Sequence, residues 1–335
     1  MSNKPSRRDF LKDVGFAAGA AGLGWGVPLA RAVPPPDTGE PMPSLKDVPK
    51  RKLGRIGIEV PPLSLGLAVM GHAFYPPEEF EPVVNAAIDA GITYLDVAPN
   101  YDVAEERLGP ILAKRRREVF LVGKVERVAY RKDDTIRLIE KSLQKMQTDH
   151  LDLCHVHNIG EFAPEQSIGK GGCLEGIEEA RKRGLVKYVG ISGHQGVGRF
   201  VPAIETGRVD LVMCAMNFVD RFTYNFEQRV LPVAQKHNVA IVAMKVLGGV
   251  MQWRYGEKAP GLLTSPEHYR HAMRYAMGLP GVATCVVGIK SLGELREAIL
   301  VARQFTPLTE KERAWIDQEG RWLAAKWKDH MGPVG

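Results

Sequence analysis

From residue 60 onward the chain alternates short, nearly uninterrupted apolar runs with stretches whose apolar residues recur at helical spacing, and this restricts the fold more than any other feature. The runs are Val60–Gly66, Thr93–Ala98, Val119–Val125, Leu151–His157, Val186–Ser192, Leu211–Met216, Val239–Val246 and Val282–Val287. Between them, Pro77–Ala90 places Phe80, Val83, Val84, Ala87 and Ile88 on one helical face, and Asp133–Met146, Leu174–Arg183 and Pro266–Met277 are similarly amphipathic. Continuous apolar runs mark strands buried on both faces, as in a parallel sheet. Eight such units fit a closed (β/α)8 TIM barrel of the α/β class, in one domain, better than an open doubly wound sheet. The Rossmann fingerprint is missing: Gly196-Val197-Gly198 lacks its third glycine, and Gly169–Gly172 follows no strand.

The residues ahead of this pattern read as an address. Ser6-Arg7-Arg8-Asp9-Phe10-Leu11-Lys12 resembles a twin-arginine (Tat) export signal at every position, and a Gly/Ala-rich weakly apolar stretch from Val14 to Leu29 follows. Ala30-Arg31-Ala32 is a small-x-small cleavage pattern. The glycine content and short apolar length speak against a stable membrane anchor. Residues 1–32 are therefore expected to be a Tat signal peptide and 33–49 a Pro-rich linker. Residues 50–335 then form the barrel and a C-terminal helical tail. The resemblance implies the Tat export machinery as a partner and a periplasmic or exported location.

Charge and cysteine content narrow the function classes. Of the formal +6, the first 32 residues carry +3, through Lys4, Arg7, Arg8, Lys12 and Arg31 against Asp9 and Asp13. The +3 left on the body is too little to suggest nucleic acid. The run Lys114–Arg117 is expected to be a solvated helix end. Cys154, Cys173, Cys214 and Cys285 are widely spaced with no CxxC, which suits buried small hydrophobes better than a disulfide framework or an iron–sulfur cluster.

Chemistry in an α/β barrel gathers at the C-terminal strand ends. There the second run leads through Asp96 to Tyr101, the third carries Lys124 next to its end, and the fourth ends at His157. Asp96 and Lys124, on adjacent strands, can neutralise each other inside apolar surroundings. An ammonium beside a phenol favours the phenolate, so Tyr101 could give a proton to a carbonyl oxygen as hydride reaches the carbon. Asp96 would hold Lys124 charged, and a neutral His157 would orient the carbonyl. No metal is required.

These residues carry a resemblance. Asp96-Val97-Ala98-Pro99-Asn100-Tyr101, with Glu105 and Leu108-Gly109, resembles the aldo-keto reductase pattern D-x-A-x-x-Y-x-x-x-E-x-x-L-G. Lys52–Gly57 with Leu65-Gly66-Leu67 is similar to that family's N-terminal β-hairpin and first strand. Asp149–Leu153 leading to His157, and Gly184–Ser192, are similar to its fourth and fifth strands. The resemblance spans about residues 50–305. It implies an NAD(P)H-dependent oxidoreductase reducing aldehydes and ketones to alcohols, with Asp96, Tyr101, Lys124 and His157 as the tetrad and Tyr101 as acid–base.

For the cofactor, the resemblance implies NADP (NADPH). Ser192 falls at the nicotinamide carboxamide, and Met244, Lys245 and Leu247 along the nicotinamide and pyrophosphate. Gly288, Lys290, Ser291 and Arg296 fall at the adenosine 2′-phosphate, where cationic side chains supply charge-assisted bonds. The sequence departs from the family pattern at Gly193-His194, Met213, Met244 and Ala298, where Asn, Gln, Tyr and Asn are frequent.

Two other readings stay open. One is an exported barrel that binds a ligand or partner without turnover. The other is a metal-dependent hydrolase using His155 and His157, which share a strand face. Trp253, Tyr255 and the 249–264 insertion are candidates for one substrate wall, and Trp322 and Trp327 for another. All are equally compatible with ordinary packing.

Overall fold

The structure is a computed structural model that describes residues 40–73, 75–126, 131–161, 163–248, 262 and 265–335. The twin-arginine stretch, the start of the linker, Trp253, Tyr255 and most of the 249–264 insertion lie outside the described residues. Among the described residues no helix is long and apolar enough to cross a membrane.

Two short strands, β1 (Arg51–Lys52) and β2 (Glu59–Val60), pair antiparallel. Eight further strands close a barrel in the order β10-β3-β4-β5-β6-β7-β8-β9, every pair parallel. They are β3 (Leu63–Gly66), β4 (Tyr94–Asp96), β5 (Phe120–Val125), β6 (Leu151–Val156), β7 (Val186–Gly193), β8 (Leu211–Ala215), β9 (Ala240–Met244) and β10 (Val282–Gly288). The first expected run, Val60–Gly66, is divided. Pro61 and Pro62 have no N–H to give a ladder, so Val60 stays in the hairpin and the barrel strand starts at Leu63. The helix expected over Pro77–Ala90 spans Pro77–Asp89, and that over Pro266–Met277 is observed over the same residues.

The hairpin closes the N-terminal end of the barrel. Arg55 donates its backbone N–H to Asn238 O (2.7 Å) and its guanidinium to Asp210 (3.0 Å), both beside strand starts. Gly54, at φ +41°, lies so close to β9 that a Cβ would stand 2.5 Å from the Ala240 nitrogen. The Lys114–Arg117 run is solvated as expected at Lys114 and Arg117, whereas its two central arginines are engaged. Arg115 is tied to Asp89 and Glu118, and Arg116 to the buried Asp152, whose other oxygen meets Lys187. The local cause is that the helix Ala104–Arg115 ends beside the last residue of the helix Pro77–Asp89 and against the starts of β5 and β6, where Glu118 and Asp152 lie.

Strand alternation sorts the core into two layers. Leu65, Leu95, Leu121 and Cys154 pack outward against the helices. Tyr94, Phe120, Val122, Leu153, Met213, Val242 and Met244 fill the barrel. Inside it, Phe120 stacks between Tyr94 and Tyr188, with centroids 5.5 and 6.3 Å away. All four cysteines are free and buried. In the C-terminal helix Glu310–Trp327, Trp327 packs with Phe218 and Val219 while Trp322 is 54% exposed under the Lys326 ammonium.

One buried acid lies outside the barrel mouth. Tyr275 donates to Glu227 Oε2 at 2.5 Å, and Glu227 Oε1 is buried without a partner among the described residues. Burial raises the Glu227 carboxyl to about 7, against the opposing pull of Tyr275 and Arg221. A raised folded-state value means the folded chain holds the proton more tightly. That stability is complete below the unfolded value near 4.5 and is lost as pH rises through about 7. Melting from pH 5 to pH 8 is therefore expected to lower Tm by roughly 3 °C more in the native chain than in Glu227→Gln. Equal slopes would place the proton elsewhere.

Candidate active site

With the hairpin across one end, the opposite mouth collects the polar residues. Asp96 is two residues past Tyr94, Lys124 four past Phe120, and Ser192 four past Tyr188, so all three keep the inward parity of the aromatic layer. The registers Asp96↔Val122 and Lys124↔His155 bring β4, β5 and β6 side by side.

Lys124 Nζ donates to both Asp96 oxygens at 2.6 Å and to Val97 O at 3.1 Å. Both side chains are fully buried. Burial pushes Asp96 up and Lys124 down, and each opposes that shift in the other. The bidentate contact keeps the pair ionised, because separating either partner would leave a lone buried charge.

Tyr101 lies over this pair. Lys124 Nζ is 4.8 Å from its ring centroid, and its hydroxyl hydrogen-bonds Asp96. It is half-exposed, so of the four it is the group an incoming molecule meets. Its backbone is held by Tyr101 N–H to Ala98 O (3.0 Å) and by Val103 N–H to Gly71 O (3.0 Å). At Gly71 a Cβ would stand 2.3 Å from the Tyr101 carbonyl oxygen, so only glycine allows this approach.

His157, just past β6, meets Tyr101 edge to face with centroids 6.3 Å apart. Burial first, and then the Lys124 charge, hold it well below the usual imidazole range, so it is neutral at pH 7. The structure thus brings together all four residues of the expected tetrad. His155 lies deeper, fully buried against Gly190, and is likewise kept neutral. Among the described residues no three His, Cys, Asp or Glu side chains gather as metal ligands.

The remaining expected residues divide into two groups. Ser192 is fully buried at the mouth, and its Oγ has no hydrogen-bond partner among the described residues. Met244 lines the barrel at the end of β9, two strands away from β7, and Lys245 and Leu247 follow, half-buried. At the end of β10, Gly288 is exposed, and a Cβ there would stand 2.9 Å from the Val69 side chain. Ser291 caps the helix Leu292–Arg303 by accepting from Glu294 N–H at 3.1 Å. Lys290 Nζ lies 3.6 Å from Glu294, and Tyr75 donates to the Lys290 carbonyl at 2.6 Å. Arg296 does not join them: its guanidinium is committed to Glu40 (3.1 Å) and Pro41 O (2.9 Å) ahead of the barrel.

Three features of the mouth escaped the sequence reading. Asn217, fully buried, donates to Lys245 O at 3.0 Å and to Asp220 at 2.6 Å. Asn158 Oδ1 accepts from His194 Nδ1 at 2.9 Å. Asp220 pairs with His330 of the tail at 2.9 Å, both buried. Only the polar residues directly after the apolar runs hinted at the first two. Nothing local signals a partner 110 positions away.

The sequence and the fold are shared with known proteins. The profile of the aldo/keto reductase family matches residues 62–271. Pyridoxal 4-dehydrogenase of Microbacterium luteolum is 24% identical, covering 78% of this chain and 95% of that one. The uncharacterised oxidoreductase YqkF of Bacillus subtilis is 26% identical, covering 78% and 94%. An aldo/keto reductase of Klebsiella pneumoniae, solved in complex with NADP and acetate, shares the fold at 22% identity with TM-score 0.66, covering 81% and 95%. The profile match spans more than half of the sequence, and the chain belongs to the aldo/keto reductase family.

Proposed function

We propose that the protein is an NADPH-dependent reductase of aldehydes and ketones, working through Asp96, Tyr101, Lys124 and His157. The observation that carries this reading is a half-buried tyrosine whose ring lies 4.8 Å from the ammonium of a buried, bidentate Lys124–Asp96 pair, beside a histidine held neutral.

The residues fit the cofactor. The unsatisfied Ser192 Oγ offers a hydrogen-bonding group to the nicotinamide carboxamide. Lys290, beside the capped end of the helix Leu292–Arg303, offers a cation to the 2′-phosphate. Bound NADPH supplies the hydride. Tyr101 delivers its proton to the carbonyl oxygen, and Lys124 stabilises the phenolate left behind. Asp96 keeps Lys124 charged and fixed. Neutral His157 orients the carbonyl without competing for its proton.

Titration with NADPH and NADH, followed by tryptophan fluorescence, tests the reading together with NADPH oxidation on a carbonyl panel. Saturable binding, tighter for NADPH, with carbonyl-dependent oxidation is expected. Absence of binding by either nucleotide would overturn it.

Ser192→Ala separates cofactor from fold. Removing a hydroxyl that has no partner is expected to leave the Tm of the unliganded protein unchanged or slightly raised, while NADPH affinity falls roughly 2- to 12-fold. A lower Tm with unchanged NADPH affinity would assign Ser192 to packing.

We also propose export through the twin-arginine route, from Ser6–Lys12 and the Ala30-Arg31-Ala32 pattern. Fractionation of cells expressing the native chain and an Arg7→Lys/Arg8→Lys variant tests it. Loss of the exported form in the variant is expected, and equal export of both would refute it.

A further inference from the structure

Asp96, Lys124 and Tyr101 hold one another by hydrogen bonds. Among the described residues the His157 imidazole makes none, and its ring contact is the edge-on approach to Tyr101 at 6.3 Å. The direction of the imidazole therefore depends on the backbone that carries it. On one side that backbone is fixed to β5, because His157 N–H donates to Val125 O at 3.1 Å. On the other side the chain turns at once, at Asn158.

Asn158 adopts φ +55°, in the left-handed region that asparagine tolerates because its side chain can bond its own neighbourhood. Here the side chain bonds elsewhere. Its Oδ1 accepts from His194 Nδ1 at 2.9 Å, 36 positions further on in the loop after β7. Burial keeps His194 neutral, so its ring carries one N–H, and an amide oxygen as partner puts that N–H on Nδ1.

His194 is itself held from two directions. Glycines at 160 and 196 let the loops after β6 and β7 meet backbone to backbone. A Cβ on Gly160 would collide with the Gln195 carbonyl oxygen, and one on Gly196 with the Gly160 carbonyl oxygen. From the far side the C-terminal tail offers Pro333 O to the Gly196 N–H and Val334 O to the Val197 N–H, both at 2.9 Å. The buried His330–Asp220 pair anchors that tail. The donor that Asn158 meets is thus fixed in place.

We propose that His194 and Asn158 are positioning residues for His157: their hydrogen bond ties the turn that ends β6 to the loop after β7 and so aims the imidazole at the carbonyl. This rests on the reductase reading above and adds two residues to its site. Neither residue needs to touch the substrate for the effect, because a small misplacement of an orienting group is enough to slow the reaction.

Kinetics with NADPH, on 4-nitrobenzaldehyde and on the fastest carbonyl of the panel above, test it. His194→Phe keeps a ring and removes the donor, and kcat/KM is expected to fall roughly 10- to 100-fold with NADPH affinity little changed. His194→Asn, whose Nδ2 stands where Nδ1 does, should recover most of the loss. Asn158→Gly keeps the left-handed turn but has no Oδ1, so it should resemble His194→Phe and serves if that variant fails to fold. In a His157→Ala background, adding His194→Phe should change kcat/KM by less than about twofold, since the imidazole it acts through is gone. Without nucleotide or substrate, long-range 1H–15N spectra of the 15N-histidine protein should show His194 as the Nδ1–H tautomer and the His157 ring resonances shifted or broadened in Asn158→Gly.

Two results would overturn the proposal. One is native kcat/KM and unmoved His157 resonances in Asn158→Gly, which would show that the turn alone aims the ring. The other is a His194→Phe loss that multiplies in full with that of His157→Ala, which would give His194 a separate route to the reaction. Either result leaves the reductase reading standing, whereas a native protein that reduces no carbonyl with NADPH removes that reading and this proposal together.

Discussion

Tyr101→Phe is expected to lower kcat for carbonyl reduction by about 10²- to 10⁴-fold while leaving NADPH affinity nearly unchanged. The substitution removes one oxygen and keeps the ring. The edge-to-face contact with His157 at 6.3 Å and the Lys124 ammonium at 4.8 Å both involve the ring rather than the hydroxyl. Packing at the mouth is therefore retained, and what is lost is the proton donor with its hydrogen bond to Asp96. Steady-state kinetics with a saturating aldehyde, paired with a fluorescence titration of NADPH, gives both numbers. Native turnover in the variant would show that the proton comes from elsewhere.

Lys124→Met carries the second large effect, on stability as well as rate. It strands Asp96, whose two oxygens each lose a 2.6 Å contact inside a fully buried site. Breaking a buried pair by removing one partner costs about 3–5 kcal/mol. Asp96→Asn/Lys124→Met is expected to recover much of the lost stability, because no uncompensated charge remains, without recovering activity. The pH dependence has a definite sign. Burial already raises the Asp96 carboxyl, and without Lys124 it rises further. A carboxyl raised in the folded state is least costly when protonated, so the stability gap between native and variant should narrow as pH falls. Denaturant melts of the native, single and double variants at several pH values measure this. A single variant as stable as the double would mean that Asp96 finds another partner.

The barrel was legible because its strands are buried on both faces and leave unbroken apolar runs, from Thr93–Ala98 to Val282–Val287. The tetrad was legible because three members stand in the last residues of those runs, where barrel geometry turns strand ends toward a common mouth. What escaped depends on contacts between distant segments. The division at Pro61-Pro62 was visible as two prolines, but the place of Val60 in the hairpin depends on its pairing with Arg51. The Lys114–Arg117 run looked solvated because the carboxylates that engage it, Asp89 and Asp152, lie on other elements. Arg296 matched the cofactor pattern by position, yet its guanidinium meets Glu40, 256 residues away.

The most direct measurement follows the label. Reduction of an aldehyde with NADPH deuterated at C4 of the nicotinamide, with the alcohol analysed by mass spectrometry, reports where the new C–H bond originates. The expected result is one deuterium on the carbinol carbon from the native protein and an alcohol yield about 10²-fold or more lower from Tyr101→Phe. Alcohol formed without deuterium for either face of labelling, or equal yield from the variant, would contradict hydride reduction assisted by Tyr101.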